Sequence, residues 1–312
     1  MTVEQQAFRF SGHETFPCRY AWLPKAFGAL KRDGRLFAND ETAMIDLGVG
    51  KNMVRAIRFW VDAVGVARSV KGGAFEVTDF GNTIFDDGAF DPFLEDIRTL
   101  WLIHWQLATN VHQPLFAWHF LLNQWQHPEI SRHVVLDAFA KEAIRLGKDL
   151  SRVTLEQHFD TFLHSYVPTR GRKGEVQEDN LDCPLVELEL IQKVGERTPE
   201  SGGRESIYAF RRDEKPNITP GLFAYCLGDF WTKRHGAELT LSFRDIAVAP
   251  GSPGQIFKLP EADIRQRLEA IDADSAGHFT YRESASVQRL SRSSETPARP
   301  LASVYEEEGA HA

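Results

Sequence analysis

Several absences narrow the class of this chain before any motif is read. Only three cysteines occur in 312 residues, Cys18, Cys183 and Cys226. They are odd in number, far apart and without metal-type spacing. That excludes a disulfide framework and a cysteine-rich zinc finger, and fits free thiols in a reducing compartment. No run of 18 apolar residues and no signal-peptide pattern is present, so the expectation is a soluble cytoplasmic protein with no membrane partner. Walker A, a GxGxxG after a strand, a GxSxG elbow and a CxxC pair are all missing. Positions 48–52 read GVGKN, but the spaced first glycine and the Ser/Thr of a phosphate loop are lacking. An ATPase or dinucleotide enzyme is not expected, nor is a nucleotide or organic cofactor. Positive charge is scarce too: 36 Lys and Arg stand against 44 Asp and Glu, a net of −8. A protein that coats nucleic acid indiscriminately is thereby excluded, and any such contact has to be local.

One local exception is clear. Residues 41–46 read as a short helix, Gly48 and Gly50 as a tight turn, and 51–63 as a second helix. Val54, Ile57, Val61 and Val64 share the buried face of that second helix. Segments 66–68 and 75–78 flank Lys71-Gly72-Gly73 as a hairpin, and 79–85 closes with another helix. Helix, glycine turn, helix and hairpin describe a winged helix-turn-helix. Lys51, Arg55 and Arg58 recur at spacings of 4 and 3, so they share one flank of the second helix. Arg68 and Lys71 carry the basic character into the hairpin. From 51 to 71 there are five basic residues and one acid, Asp62. That pattern suits phosphate contacts of a helix in a major groove, with Asn52 placed to read a base edge. Double-stranded DNA is the expected partner. The competing reading is a module for protein contacts whose basic face is merely solvated.

Elsewhere the chain offers weaker candidates. His13 and Glu14 precede an amphipathic helix, where they would serve as a proton-transfer or metal pair, or as a polar anchor. Asp91, with Pro92 after it, opens a helix over 90–110. Asp91, Glu95 and Asp96 fit capping better than a Mg²⁺ cluster. Helices are expected at 115–126, 131–146 and 154–165, the last with a Thr154/Gln157 capping box. His104, His112, His119 and His127 lack zinc spacing and sit among aromatics. Residues 167–176 form a basic loop with Arg170, Arg172 and Lys173, able to reach a DNA backbone or to act only as a linker. Beyond it, 181–194 reads as a loop running into a helix, 195–206 as a loop and 207–213 as a strand. Cys183 has no recognisable histidine partner and reads as a buried thiol. After a helix at 220–234, residues 239–290 echo the first module, with helices and then 278–290 as a wing.

The fold class expected is therefore mainly α (α+β). It comprises residues 1–90 with the winged helix-turn-helix, a helical core over 91–169, a C-terminal domain over 170–293 with a second winged-helix-like module, and a disordered acidic tail over 294–312.

Three segments in order, FSGHETF, LGVGKNMVRAIRFW and DPFLEDIRTLWLIHW, carry a resemblance. With them the chain resembles a bacterial domain-of-unknown-function family of DNA phosphorothioation operons, over most of its length and more weakly after Thr169. The resemblance implies a DNA nickase component of a phage-defence system. It also implies partners of the cysteine desulfurase, sulfurtransferase-like and ATPase types, and Mg²⁺ or Mn²⁺ as cofactor. In such a nickase the metal would activate water, and His13 and Glu14 are the candidates for base and metal ligand. A non-enzymatic DNA-binding adaptor that recruits modification enzymes is the alternative.

Overall fold

Residues 7–168, 183–198, 202–284, 288–293 and 300–306 are described by a computed structural model. Arg170, Arg172 and Lys173 lie outside them. Helices and small antiparallel sheets alternate along the chain, in keeping with the α+β expectation. Among the described residues no helix is long and apolar enough to cross a membrane.

The first unit begins with α1 (Trp22–Arg32), followed by α2 (Asp40–Leu47) and α3 (Lys51–Val64). Asn39 caps α2, accepting from the amides of Glu41 (2.8 Å) and Thr42 (3.2 Å), which satisfies two otherwise orphaned donors. Gly48 ends α2 in the left-handed region at φ 64°, whereas Gly50 is extended at φ −73°. Only the first of the two turn glycines is thus required by its backbone conformation. Val54, Ile57, Val61 and Val64 are buried as their spacing demands, and Phe59 and Trp60 are buried as well. α3 is covered on several sides, by α1, by α2 and by α5 (Ile97–Thr109). β1 (Ala67–Ser69) and β2 (Phe75–Val77) pair antiparallel, Ala67 opposite Val77. α4 (Asp79–Phe85) closes the unit. A Cβ on Gly81 would sit 2.3 Å from the carbonyl oxygen of Val66, so this helix approaches the hairpin only because position 81 has no side chain.

The middle is built from α5, α6 (Phe116–Asn123), α7 (Arg132–Arg145) and α8 (Arg152–Tyr166). Trp60, Trp101, Trp105 and Trp118 are each no more than 2% exposed, and the apolar residues from Phe10 to Tyr305 form one connected core. The helix expected to start near residue 90 starts at Ile97. Asp91 instead clamps a turn, its carboxylate accepting from the amides of Glu95 (2.7 Å) and Asp96 (3.0 Å). Asp96 is the cap, accepting from the amide of Arg98 at 2.8 Å. The cap of α8 is Ser151, which accepts from the amide of Thr154 at 3.1 Å, and not Thr154.

The segment expected to run into a helix before Val194 does not. Residues Pro184–Leu188 make a 3-10 turn, and β4 (Ile191–Arg197) follows. The apolar positions fit either period, and pairing with β5 (Glu205–Phe210) decides the outcome. β3 (Ile130–Ser131) completes that sheet in the order β3-β5-β4. After α9 (Pro220–Arg234) comes a second run of similar plan: β6 (Thr240–Ser242), α10 (Phe243–Val248), α11 (Pro253–Phe257), α12 (Glu261–Asp274), β7 (Phe279–Glu283) and β8 (Gln288–Arg292). Its sheet order is β6-β8-β7.

Tail residues Leu301–Tyr305 also depart from expectation, forming a packed 3-10 turn. The Tyr305 ring stacks on Phe90 at 4.6 Å, and its hydroxyl lies 2.8 Å from Thr99 Oγ1. The carbonyl of Ser303 lies where a Cβ on Gly221 would be, 2.5 Å away. The acids around this short apolar run disguised an anchor.

Candidate nucleic-acid interface

α3 sorts its residues by burial. The apolar positions face the core, while Lys51, Asn52, Arg55 and Arg58 are exposed on the outer flank. Their charges are partly engaged. Asp40, at the start of α2, places Oδ2 3.2 Å from Lys51 Nζ and 3.8 Å from an Arg55 guanidinium nitrogen. The Arg58 guanidinium lies 5.5 Å from the centre of the Phe75 ring, which steadies it over the hairpin. Arg68 is exposed on β1, and Lys71 at the hairpin tip, where Gly72 and Gly73 take φ of 87° and 78°. Asp62, the one acid in this stretch, pairs with Arg9 at 2.7 Å and lines the cleft beside the hairpin together with Arg68. Glu76 is exposed directly opposite Arg68 in the hairpin, so this face carries acids among its cations.

Beside the hairpin, Arg9, Arg68, Gln106, Gln113 and Lys233 line a polar cleft of about 460 Å³. Arg9 and Lys233 lie far apart in the chain and carry no motif, so sequence reasoning missed both. Lys233 is held by Asp229 (2.7 Å) and donates to Thr109 Oγ1 (3.2 Å).

His13 and Glu14 are not brought together as a reacting pair. His13 is 3% exposed, while Glu14 is on the surface at φ 49°. The partner of His13 is His158, 145 positions away, with His13 Nε2 and His158 Nδ1 3.1 Å apart. The Ala117 amide donates to His158 Nε2 (2.9 Å). The Thr15 amide donates to His13 Nδ1 (3.1 Å), and the same nitrogen lies 3.1 Å from Thr161 Oγ1, whose hydroxyl donates to the carbonyl of Gln157 (2.9 Å). Burial, and then the charge of Arg9, push His13 down to about 4. Burial and the His13 ring push His158 well below its ordinary value. The pair is a neutral structural anchor.

The other candidates resolve into packing and capping. His104 is fully buried between Tyr166 Oη (2.8 Å) and the Ile256 carbonyl (3.2 Å), and burial pushes it down to about 3. All three thiols are buried, and burial raises those of Cys18 and Cys226 well above their ordinary values, so neither of these two is an activated thiolate. Among the described residues no group of three or more His, Cys, Asp or Glu is placed to hold a metal ion.

Residues 10–305 match the family described as protein of unknown function DUF4007, and the chain belongs to that family. Among solved structures it is similar to the magnesium ion-bound crystal structure of SspB. The TM-score is 0.80 at 26% identity, over 94% of this chain and 86% of that one. A second crystal structure of SspB matches with a TM-score of 0.79, again at 26% identity, over 92% and 85% of the two chains. No curated protein matches.

Proposed function

We propose that this protein is the DNA-binding component of a DNA phosphorothioation and phage-defence system, and that it nicks one strand of duplex DNA. The observation that carries the DNA reading is the exposed row Lys51, Asn52, Arg55 and Arg58 on α3, continued by Arg68 and Lys71, in a chain of net −8. In this reading α2, α3 and the β1-β2 hairpin act as a winged helix-turn-helix, with α3 in the major groove and the hairpin on the flanking backbone. Lys51, Arg55 and Arg58 would position the duplex, and Asn52 would read a base edge. Arg170, Arg172 and Lys173 remain proposed backbone contacts. The likeness to SspB supports the system and its other proteins as partners. The magnesium ion in that structure supports Mg²⁺ or Mn²⁺ as the cofactor for nicking. The described residues bring together no group of three or more His, Cys, Asp or Glu to hold such an ion.

The burial of His13 and the outward placement of Glu14 favour a second reading, a DNA-binding adaptor that recruits modification enzymes without cutting. Supercoiled plasmid incubated with the purified protein, with Mg²⁺, with Mn²⁺ and with chelator, separates the two. Metal-dependent open circles support the nickase, and binding without cutting supports the adaptor. A salt titration of duplex binding tests what they share. Binding should weaken steeply with salt, and the slope should fall by about two on substituting both Arg55 and Arg58 by Ala. Failure to bind duplex at low salt overturns both.

A further inference from the structure

The cleft between α1 and the turn before α5 has the makings of a second binding site. Its volume is about 710 Å³, and its lining includes Tyr20, Lys25, Gly28, Lys31, Arg32 and Phe93. Phe93 is 74% exposed, an unusual state for a phenylalanine held on a fixed turn. The turn is fixed because the 5%-exposed Asp91 carboxylate accepts two of its amides, while Leu94 takes φ 63°. Tyr20 is likewise held, its hydroxyl bonded to Glu187. Lys31 pairs with Asp86, which lines the cleft together with the exposed Asp87. Lys25 and Arg32 are exposed and make no ion pair among the described residues, so three cations face two acids there.

Gly28 is the independent clue. It lies inside α1, where glycine destabilises a helix relative to alanine. A Cβ there would meet only an Arg32 guanidinium nitrogen, at 3.8 Å, which is ordinary contact. Packing within the fold gives no reason for this glycine. Its lack of a side chain leaves that part of the cleft lining bare.

We propose that this cleft binds single-stranded DNA, taking an unpaired base against Phe93 with the backbone phosphates on Lys25 and Arg32. Exposed aromatic faces interleaved with cations are what sequence-tolerant single-strand recognition uses. A paired base inside a duplex cannot enter a concave site of this kind. The proposal rests on the reading of this protein as DNA-binding, and adds a strand-specific site separate from α3.

The test is fluorescence anisotropy on the full chain, with a labelled oligodeoxythymidylate and a labelled duplex measured in parallel. Phe93→Ala should weaken oligothymidylate binding about tenfold, the loss expected of one base–aromatic stack, and leave duplex binding unchanged. Gly28→Gln should raise the melting temperature yet weaken oligothymidylate binding, a combination that a folding defect does not produce. Substituting both Arg55 and Arg58 by Ala should do the reverse of Phe93→Ala, lowering duplex binding alone. If duplex binding fails while oligothymidylate binding still depends on Phe93, the reading of α3 falls and the cleft stands. Absent single-strand binding, or binding indifferent to both Phe93→Ala and Gly28→Gln, overturns the proposal. So does Phe93-dependent capture of polyglutamate in place of oligothymidylate.

Discussion

His13 and His158 stack at 15° with their facing nitrogens 3.1 Å apart, and together they tie the N-terminal loop to α8. Burial, and beside it the charge of Arg9 on His13 and of the His13 ring on His158, depresses their proton affinity. In each the folded value lies below the unfolded one, near 6.5. Their contribution to stability is therefore complete above about pH 6.5. It is lost as the pH falls towards the folded values, because the unfolded chain takes up protons first. His104, down to about 3, and His119, down to about 4, act in the same sense. Each of the buried histidines His13, His104 and His158 should remove about 1.4 kcal/mol per pH unit over that window. Melting temperatures measured from pH 7 to pH 4 should fall steeply. A flat profile would contradict the neutral anchor. His158→Ala should cost about 3 kcal/mol in urea unfolding at pH 7, combining a cavity with an unsatisfied Ala117 amide.

Asp40 competes for the cations that are proposed to meet phosphate. Asp40→Asn frees Lys51 and Arg55 and removes a negative charge from the interface. Duplex affinity at low salt should rise a few-fold, and the gain should vanish at high salt. Stability should change by no more than about 0.5 kcal/mol, because both ion pairs are exposed. Unchanged or weakened duplex affinity would remove this flank of α3 from the interface.

Lys258 is fully buried, with its ammonium over the Phe210 ring at 4.5 Å and donating to the Leu122 carbonyl at 2.7 Å. Burial, and then the charge of Arg212, lower it to about 7. The same carbonyl also accepts from Gln255 Nε2 at 2.9 Å, so it keeps a partner if the lysine is lost. Lys258→Met should raise stability at pH 7 by about 2 kcal/mol, since it removes a buried group whose charged form is penalised. The native lysine is lowered relative to the unfolded chain, so wild-type stability should itself climb between pH 7 and pH 10.5. The advantage of the variant should shrink over that range in paired melts.

Arg282 and Arg289 stand directly opposite each other on β7 and β8, both exposed. Like charges across a strand pair are destabilising, and opposite charges contribute roughly 0.2–1 kcal/mol. Arg289→Glu should therefore raise stability by about 0.5–1 kcal/mol in denaturant melts at low salt. A loss of stability would mean that this hairpin depends on the arginine for packing.

The first module was legible because its information is local. Gly48 ends α2, a 3-and-4 spacing buries one side of α3, and Lys71-Gly72-Gly73 turns the hairpin, all close together in the chain. Charge on the outer flank of a helix follows from spacing alone, so Lys51, Arg55 and Arg58 emerged on one exposed face as expected. Where two periods compete, as before Val194, only the hydrogen bonds offered by β5 select a strand. The tail at Leu301–Tyr305 is held by partners some 200 positions earlier, Phe90 and Thr99. Tertiary structure alone joined His13 to His158, set Glu14 apart from both, and gathered Tyr20, Gly28, Arg32 and Phe93 around one cleft. Sequence determines which residues carry charge and which side of an element is apolar, because those depend on neighbours a few positions away. Which distant side chains share a proton or a cavity is decided by packing, since burial and proton affinity are properties of surroundings the chain brings together only on folding.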